Sequence, residues 1–250
     1  MIMITIKTQN EIEKMRKAGL IVRDVLNILG DNIKVGITTK ELDIIAYEYI
    51  TSCGAYPSFL GYRGYPASIC ASIDDEVVHG IPSSKRTLEE GQIISIDVGA
   101  YINGYHADAA RTFAVGQVSP QNQKLIKVTE QSFFEGLKVL KDGVKLGDLS
   151  SAIQNYVEKA GFSVVRALVG HGIGKQIHED PSVPNFGTAG KGIKLSKNMT
   201  LAIEPMVNMG GYEVEFCPDG WTVKTKDGLP SAHYENTVVI TANSAEILTL

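Results

Sequence analysis

Residues 91–116, GQIISIDVGAYINGYHADAARTFAVG, form two alternating apolar runs on either side of Asn103-Gly104. Asn-Gly suits the two-residue turn that joins antiparallel strands, because both central positions need positive φ. Such a turn pairs Ile102 with Tyr105, Gly99 with Asp108, and Asp97 with Ala110. Side chains alternate along a strand with period two, so Asp97 and Asp108 lie diagonally on one face. Their Cβ atoms are then about 7 Å apart. Ile94, Ile96 and Val98 mark the sheet as buried, where two bare carboxylates cost several kcal/mol unless neutralised. Arg111 offers the ordinary answer and a cation between the acids the other. The hairpin alone leaves both open.

Two further segments repeat the anomaly. Residues 199–207, MTLAIEPMV, interrupt an apolar strand with Glu204, and residues 231–241, SAHYENTVVIT, do so with Glu235. Four acids in strands of core type, without four matching bases, point to bound metal. Ahead of them stands GHGIGKQIHEDP (170–181), where His171 directly follows the β-rich run SVVRALV. A lone histidine of this kind is usually structural, but beside four converging carboxylates it reads as a ligand. Oxygen-rich ligation with one imidazole suits manganese, cobalt or iron(II) better than a thiolate-bound structural zinc.

Around these segments the chain has ordinary globular composition: 250 residues, 44% hydrophobic, 21% charged, net charge −4. Nothing global attracts nucleic acid or an anionic membrane. Cys53, Cys70 and Cys217 form no CxxC pair, which argues against a zinc ribbon or a disulfide framework and fits a reducing compartment. The first residues carry no apolar run of signal-peptide type, and no stretch reaches the roughly 20 apolar residues of a membrane helix. Localisation is expected to be cytoplasmic. Thr8 with Glu11, and Thr38 with Glu41, are capping-box signals for two helices, the second ending at Gly54. A third helix is expected from Ser119-Pro120 to about Lys141, and a fourth from about Asp148 to Ala160. Strands are expected at 67–73, 92–102, 105–115, 163–169, 200–208 and 234–241. The helix-helix-strand order thus occurs twice. A shift of 107 residues carries Gly36 onto Gly143, Leu42 onto Leu149, Tyr49 onto Tyr156, Gly54 onto Gly161 and Asp97 onto Glu204. So few matches can arise by chance, but a duplication would place the site between two similar halves. With no Pro/Gly/Ser linker, one catalytic domain over 1–250 is expected, with halves of about 1–115 and 116–250.

The segments VVHGIP (77–82), IDVGAYINGYHADAARTF (96–113), GHGIGKQIHEDP (170–181), AIEPM (202–206) and HYENTVVIT (233–241) resemble the type I methionine aminopeptidases. The likeness runs in order over essentially the whole chain. It implies the α+β pita-bread fold, with two related halves, and removal of the initiator methionine from nascent chains whose second residue is small. It also implies two divalent metal ions held by Asp97, Asp108, His171, Glu204 and Glu235. Asp97 would serve one ion, Asp108 and Glu235 both, and His171 with Glu204 the second. Glu204 would also move a proton between nucleophile and leaving amine. His178 would donate to the developing oxyanion and His79 would contact the scissile amide nitrogen. Tyr62, Tyr65, Cys70 and Trp221, with Phe59, would line the methionine pocket; aromatic rings and a thiol suit a polarizable thioether. Ile177 stands where the family often has an aromatic residue. His106 and His233 match no catalytic position and read as structural. The short interval between His178 and Glu204 and the early first helix resemble the compact bacterial enzymes.

Other readings compete. A proline-directed peptidase of the same fold shares most ligands but usually carries a large N-terminal domain. A non-catalytic binding module would normally have lost a ligand. Lys191, Lys194, Lys197, Lys224 and Lys226 offer a local basic patch toward the ribosome, though lysines on solvated loops need no partner. Sequence-specific nucleic-acid binding is not expected, and the chain is expected to be a monomer. Asp74 and Glu76 read as solvated loop acids before a site-shaping role.

Overall fold

Both capping boxes form. The Thr8 and Thr38 hydroxyls each accept an N–H from the glutamate three residues on, and each carboxylate reaches back to the cap backbone. They open α1 (Gln9–Asn32) and α2 (Thr39–Ser52). α3 (Pro120–Val139) and α4 (Leu146–Lys159) belong to the second half. A computed structural model describes residues 4–250.

The hairpin has the expected register. Strand Ile93–Ile102 pairs with Tyr105–Ala114, with Gly99 opposite Asp108 and Asp97 opposite Ala110. Asn103 and Gly104 take φ of 55° and 86°, the primed-turn geometry the dipeptide predicts. α1 lays Val22, Val25, Leu26 and Leu29 against this hairpin, in a core that Ile94, Ile96 and Val98 share. A second core gathers α3 and α4 around Leu201, Ile203 and Val207. A third cluster, which includes Phe59, Tyr65, Cys70, Ile177 and Val239, draws on both halves.

The 107-residue offset is written in the backbone. It carries α2 onto α4 at both ends, and Tyr56–Pro57 onto Ser163–Val164. The isolated bridge Thr38–Thr87 lands on the bridge Lys145–Lys194. Loop hydrogen bonds follow suit: Gly36 N–H to Leu88 and Thr39 N–H to Arg86 in one half, Gly143 N–H to Leu195 and Leu146 N–H to Ile193 in the other. A few identical residues could be accidental; a coincident set of hydrogen bonds is not. The fold is α+β in two pseudo-symmetric halves.

Several boundaries differ from expectation. α4 starts at Leu146 because the Asp148 carboxylate accepts the Lys145 N–H, so the acid caps from inside the helix. The segment at 163–169 is extended only at Ser163–Val164 before Gly170–Gly172, and 67–73 begins at Ile69. The strands expected at 200–208 and 234–241 each break at the acid. Thr200–Ile203 joins one sheet, then Glu204-Pro205 intervenes, and Met206–Asn208 joins another. Pro205 has no N–H to offer a ladder. Likewise Ser231–His233 pairs with Met206–Asn208, while Asn236–Ile240 pairs with Thr200–Ile203. Glu204 and Glu235 therefore sit where two chains cross from sheet to sheet. Glu76 is not a solvated acid: it is buried, accepts the Ile73 N–H and pairs with Arg86. Asp74 accepts the Ile93 N–H.

Candidate metal centre and substrate cavity

The two halves meet at Ala110. Its N–H donates to Glu235 O at 3.3 Å, and the Glu235 N–H returns to Ala110 O at 3.0 Å. Thr237 Oγ1 accepts the Asp108 N–H and donates to Asp108 O, both at 2.9 Å. Asp97, Ala110 and Glu235 thus lie side by side across three chains, with Asp108 two residues along the middle one. Strand alternation then brings the carboxylates to one face. Gly99 opens that face on the other side: a Cβ there would stand 2.7 Å from Ser58 Cβ and 3.1 Å from Phe59 Cε1.

His171 comes from Gly170–Gly172, paired with Ala202. Its Nδ1 donates to Gly172 O at 2.8 Å, which turns the Nε2 lone pair toward the acids. Nε2 is 3.6 Å from Glu204 Oε1 and 3.9 Å from Asp108 Oδ2. One ligand atom each from Asp108, His171 and Glu235 falls within 4.8 Å of the others. Arg111 forms no ion pair with the acids, although its charge offsets part of the rise at Glu235. It donates to the backbone oxygens of Ala110 and Glu235 and to Asn236 Oδ1, and stacks on Tyr234 at 4.2 Å. Among the described residues, no lysine or arginine pairs with any of the four acids.

Their environment raises every one of them. Burial pushes Asp97 up to about 7, against a hydrogen bond from Asp108 that lowers it. Asp108 is raised by burial and then by the charges of Glu235 and Asp97. Glu204 is raised by burial and by Asp97 and Asp108, and Glu235 by burial and by Glu204 and Asp97. Burial holds His171 near 4, so it is neutral and able to ligate. Asp97 Oδ1, Asp108 Oδ1 and Glu235 Oε1 are buried without a hydrogen-bond partner. Buried polar atoms are rarely left so, and orphaned anionic oxygens facing one another fit divalent cations.

A cavity of about 320 Å³ is lined by all twelve residues singled out from the sequence, with Arg63 as the thirteenth. Its apolar wall is well fixed. The single Tyr65 hydroxyl proton is shared between Ile69 O at 3.0 Å and Gly80 O at 3.1 Å, and the ring meets Trp221 edge-on at 5.0 Å. The Asp219 carboxylate accepts the Trp221 and Thr222 N–H groups. Ile177 is buried in the same cluster as Phe59 and Cys70, behind the lining residues. His79 holds φ of 61°, uncommon outside glycine and a mark of functional sites. Burial lowers its pKa. His178 stacks on Tyr62, with Nδ1 3.0 Å from the Tyr62 hydroxyl. Burial, with the charges of His171 and His79, takes its pKa down to about 3. The ring is neutral; in the tautomer in which the Tyr62 hydroxyl donates to Nδ1, Nε2–H is left as a donor.

Two residues escaped the sequence reading. Arg63 lies in a tight turn at φ of 48°, with its guanidinium 5.4 Å from the Tyr62 ring. Only its place inside GYRGYP hinted at this. His233, read as structural, presents Nε2 3.8 Å from Glu204 and 3.9 Å from Glu235. His106 is bonded to Ser58 Oγ at 2.8 Å. Of the lysines, Lys224 is engaged by Asp75 at 3.3 Å, while Lys191, Lys194, Lys197 and Lys226 are exposed.

Comparison with known proteins gives the family and the fold. The model of metallopeptidase family M24 matches residues 13–242. A methionine aminopeptidase of Clostridium perfringens is 57% identical over 248 residues, covering 99% of each chain. Methionine aminopeptidase 1 of Bacillus subtilis is 51% identical, again over 99% of each. The crystal structure of the Thermotoga maritima methionine aminopeptidase superposes with a TM-score of 0.97 at 46% identity, covering 99% of both chains. The pita-bread fold expected from the sequence is the fold of the chain. A Pyrococcus furiosus prolidase matches less well, with a TM-score of 0.78 and 25% identity, and this chain spans 65% of it.

Proposed function

The chain belongs to metallopeptidase family M24, and we propose that it removes the N-terminal methionine from nascent proteins and peptides whose second residue is small. The carrying observation is one cavity that sets an apolar wall of Phe59, Tyr65, Cys70 and Trp221 against buried, unpaired acids and His171. The enzyme uses divalent metal. We assign two ions, drawn from manganese, cobalt or iron(II), to Asp97, Asp108, His171, Glu204 and Glu235. Bound there, they would supply Lewis-acid activation of a water at neutral pH.

The chain's own residues do the rest. The pocket wall accepts the methionine side chain and so places the scissile carbonyl beside the acids. Glu204, whose carboxylate lies 3.6 Å from His171 Nε2 in the cavity, takes a proton from the nucleophile and returns it to the leaving amine. His178 Nε2–H donates to the oxygen on which charge develops, an interaction strongest in the transition state. His79, fixed by its backbone and by Trp221, faces the scissile nitrogen and crowds the second side chain. We read the 250 residues as one catalytic domain with halves of about 1–115 and 116–250.

Among the described residues, no helix is long and apolar enough to cross a membrane. We propose a cytoplasmic monomer that meets its substrates near the ribosome, with the exposed Lys191, Lys194 and Lys197 as the contact. The direct test is release of free methionine from Met-Ala-Ser, with and without chelator. Release that is lost with chelator and restored by manganese, cobalt or iron(II) is expected. Undiminished release from rigorously metal-free protein refutes the metal-centre reading, and preferred cleavage of Xaa-Pro dipeptides moves the chain to another branch of the fold.

A further inference from the structure

Lys7 lies ahead of α1 and is 5% exposed, an unusual place for a lysine. Its Nζ stands 2.7 Å from Glu179 Oε2 and also donates to the Thr5 hydroxyl. The Thr5 hydroxyl in turn donates to the same carboxylate oxygen at 2.7 Å. The other Glu179 oxygen accepts the Gln176 N–H at 3.2 Å. One carboxylate thus closes the 176–179 loop on itself and ties it to the N-terminal segment. That segment is anchored in turn, since the Lys7 N–H donates to Asn198 O at 2.9 Å. The fit is close: a Cβ on Gly174 would stand 2.5 Å from Lys7 Cε and 2.7 Å from Glu179 Oε1.

The next residue back is His178. Glu179 opens the strand Glu179–Val183 and is gripped by Lys7 and Thr5, while His178, in the bend just before it, lines the cavity and stacks on Tyr62. Desolvating two charges offsets most of their attraction, so a buried ion pair is a poor source of stability. It does fix a direction. We infer that the Lys7–Glu179 pair is a positioning device for His178, holding the loop so that the imidazole meets the reacting carbonyl. Lys7 touches no substrate and acts only through its neighbour. This rests on the role given to His178 above.

The test uses the full chain loaded with manganese and follows methionine release from Met-Ala-Ser. Lys7→Met is compared with Lys7→Met/Glu179→Gln, which leaves no unpaired charge in the interior. Each is made in the wild-type and His178→Ala backgrounds. Displacing a catalytic group by even an ångström slows turnover by up to about 10²-fold. In the wild-type background kcat should fall about tenfold or more, with KM within about twofold and metal content unchanged. In the His178→Ala background the same substitutions should have no further effect, since residues that act as a unit are non-additive. An equal loss in both backgrounds, a loss confined to KM or metal content, or wild-type kcat in the folded double variant overturns the proposal. Wild-type turnover by His178→Ala itself removes the ground for both this inference and the role of His178.

Discussion

In the metal-stripped protein, Asp97→Asn should be more stable than the wild type, by a margin that grows with pH. Asp97 has a folded pKa of about 7 against 3.8 for the free carboxyl, chiefly from burial. Below pH 3.8 the proton is bound in both states and the shift has no effect. Between the two values the unfolded chain has released its proton and the folded chain has not, so the folded state loses ground with rising pH. Above about 7 the loss is constant, roughly three units at 1.36 kcal/mol each, or about 4 kcal/mol. Asparagine has nearly the same shape, escapes this term and also relieves Asp108, Glu204 and Glu235 of a neighbouring charge. From pH 5 to pH 8 its advantage should widen by roughly 2–3 kcal/mol, about 5–10 °C in Tm for a chain of this length. The buried histidines titrate in the opposite sense, with His171 held near 4 and His233 near 3 by burial. The observable is therefore the difference between the two proteins, measured by urea unfolding after chelator treatment across that range. Added manganese should reverse the order, because it stabilises the protein that can bind it. A difference that stays constant or shrinks with pH would show that Asp97 is not held against its own charge, and the electrostatic case for a metal centre would go with it.

Three further outcomes follow from the same site. With His79 crowding the second position, Met-Ala, Met-Gly and Met-Ser peptides should be cleaved well and Met-Leu and Met-Lys peptides barely; comparable kcat/KM on the Met-Lys series would contradict the crowding. His178→Ala should keep its metals and KM while kcat drops about 10²–10³-fold, whereas His171→Ala should lose metal occupancy in a calorimetric titration. The reverse pattern would exchange the two roles. Since His178 is neutral above about pH 4, the wild-type kcat profile should show no break from this ring near 6.5.

The hairpin was fully legible in the sequence. Asn-Gly fixed the turn, period-two alternation fixed the faces, and the register of Asp97 and Asp108 followed without tertiary information. Glu204 and Glu235 were legible as acids in the wrong place, but not the sheet crossings that free them, because a crossing depends on which partner each half-strand finds. Pro205 was the local sign that one run could not continue. α4 was misplaced by two residues because its cap comes from Asp148, inside the helix, and no residue of capping type precedes it. Arg111 could not be excluded as a counter-ion from sequence alone; its engagement with backbone carbonyls and Tyr234 is a matter of long-range packing. The Lys7–Glu179 pair was invisible for the same reason, since the partners lie 172 residues apart in the chain.

The seam at Ala110 also bears on how the molecule comes into being. The contacts that bring Glu235 beside the hairpin join residues as much as 129 positions apart, as Asp108 and Thr237 do. Closing so long a loop loses entropy before any contact returns it, so such pairings form late and slowly. A ribosome-bound chain that has produced only the first half holds Asp97 and Asp108 but lacks His171, Glu204 and Glu235, and α1 lacks the Glu246 and Leu248 contacts it makes in the finished molecule. Catalytic competence therefore waits for the second half, because the site draws residues from both.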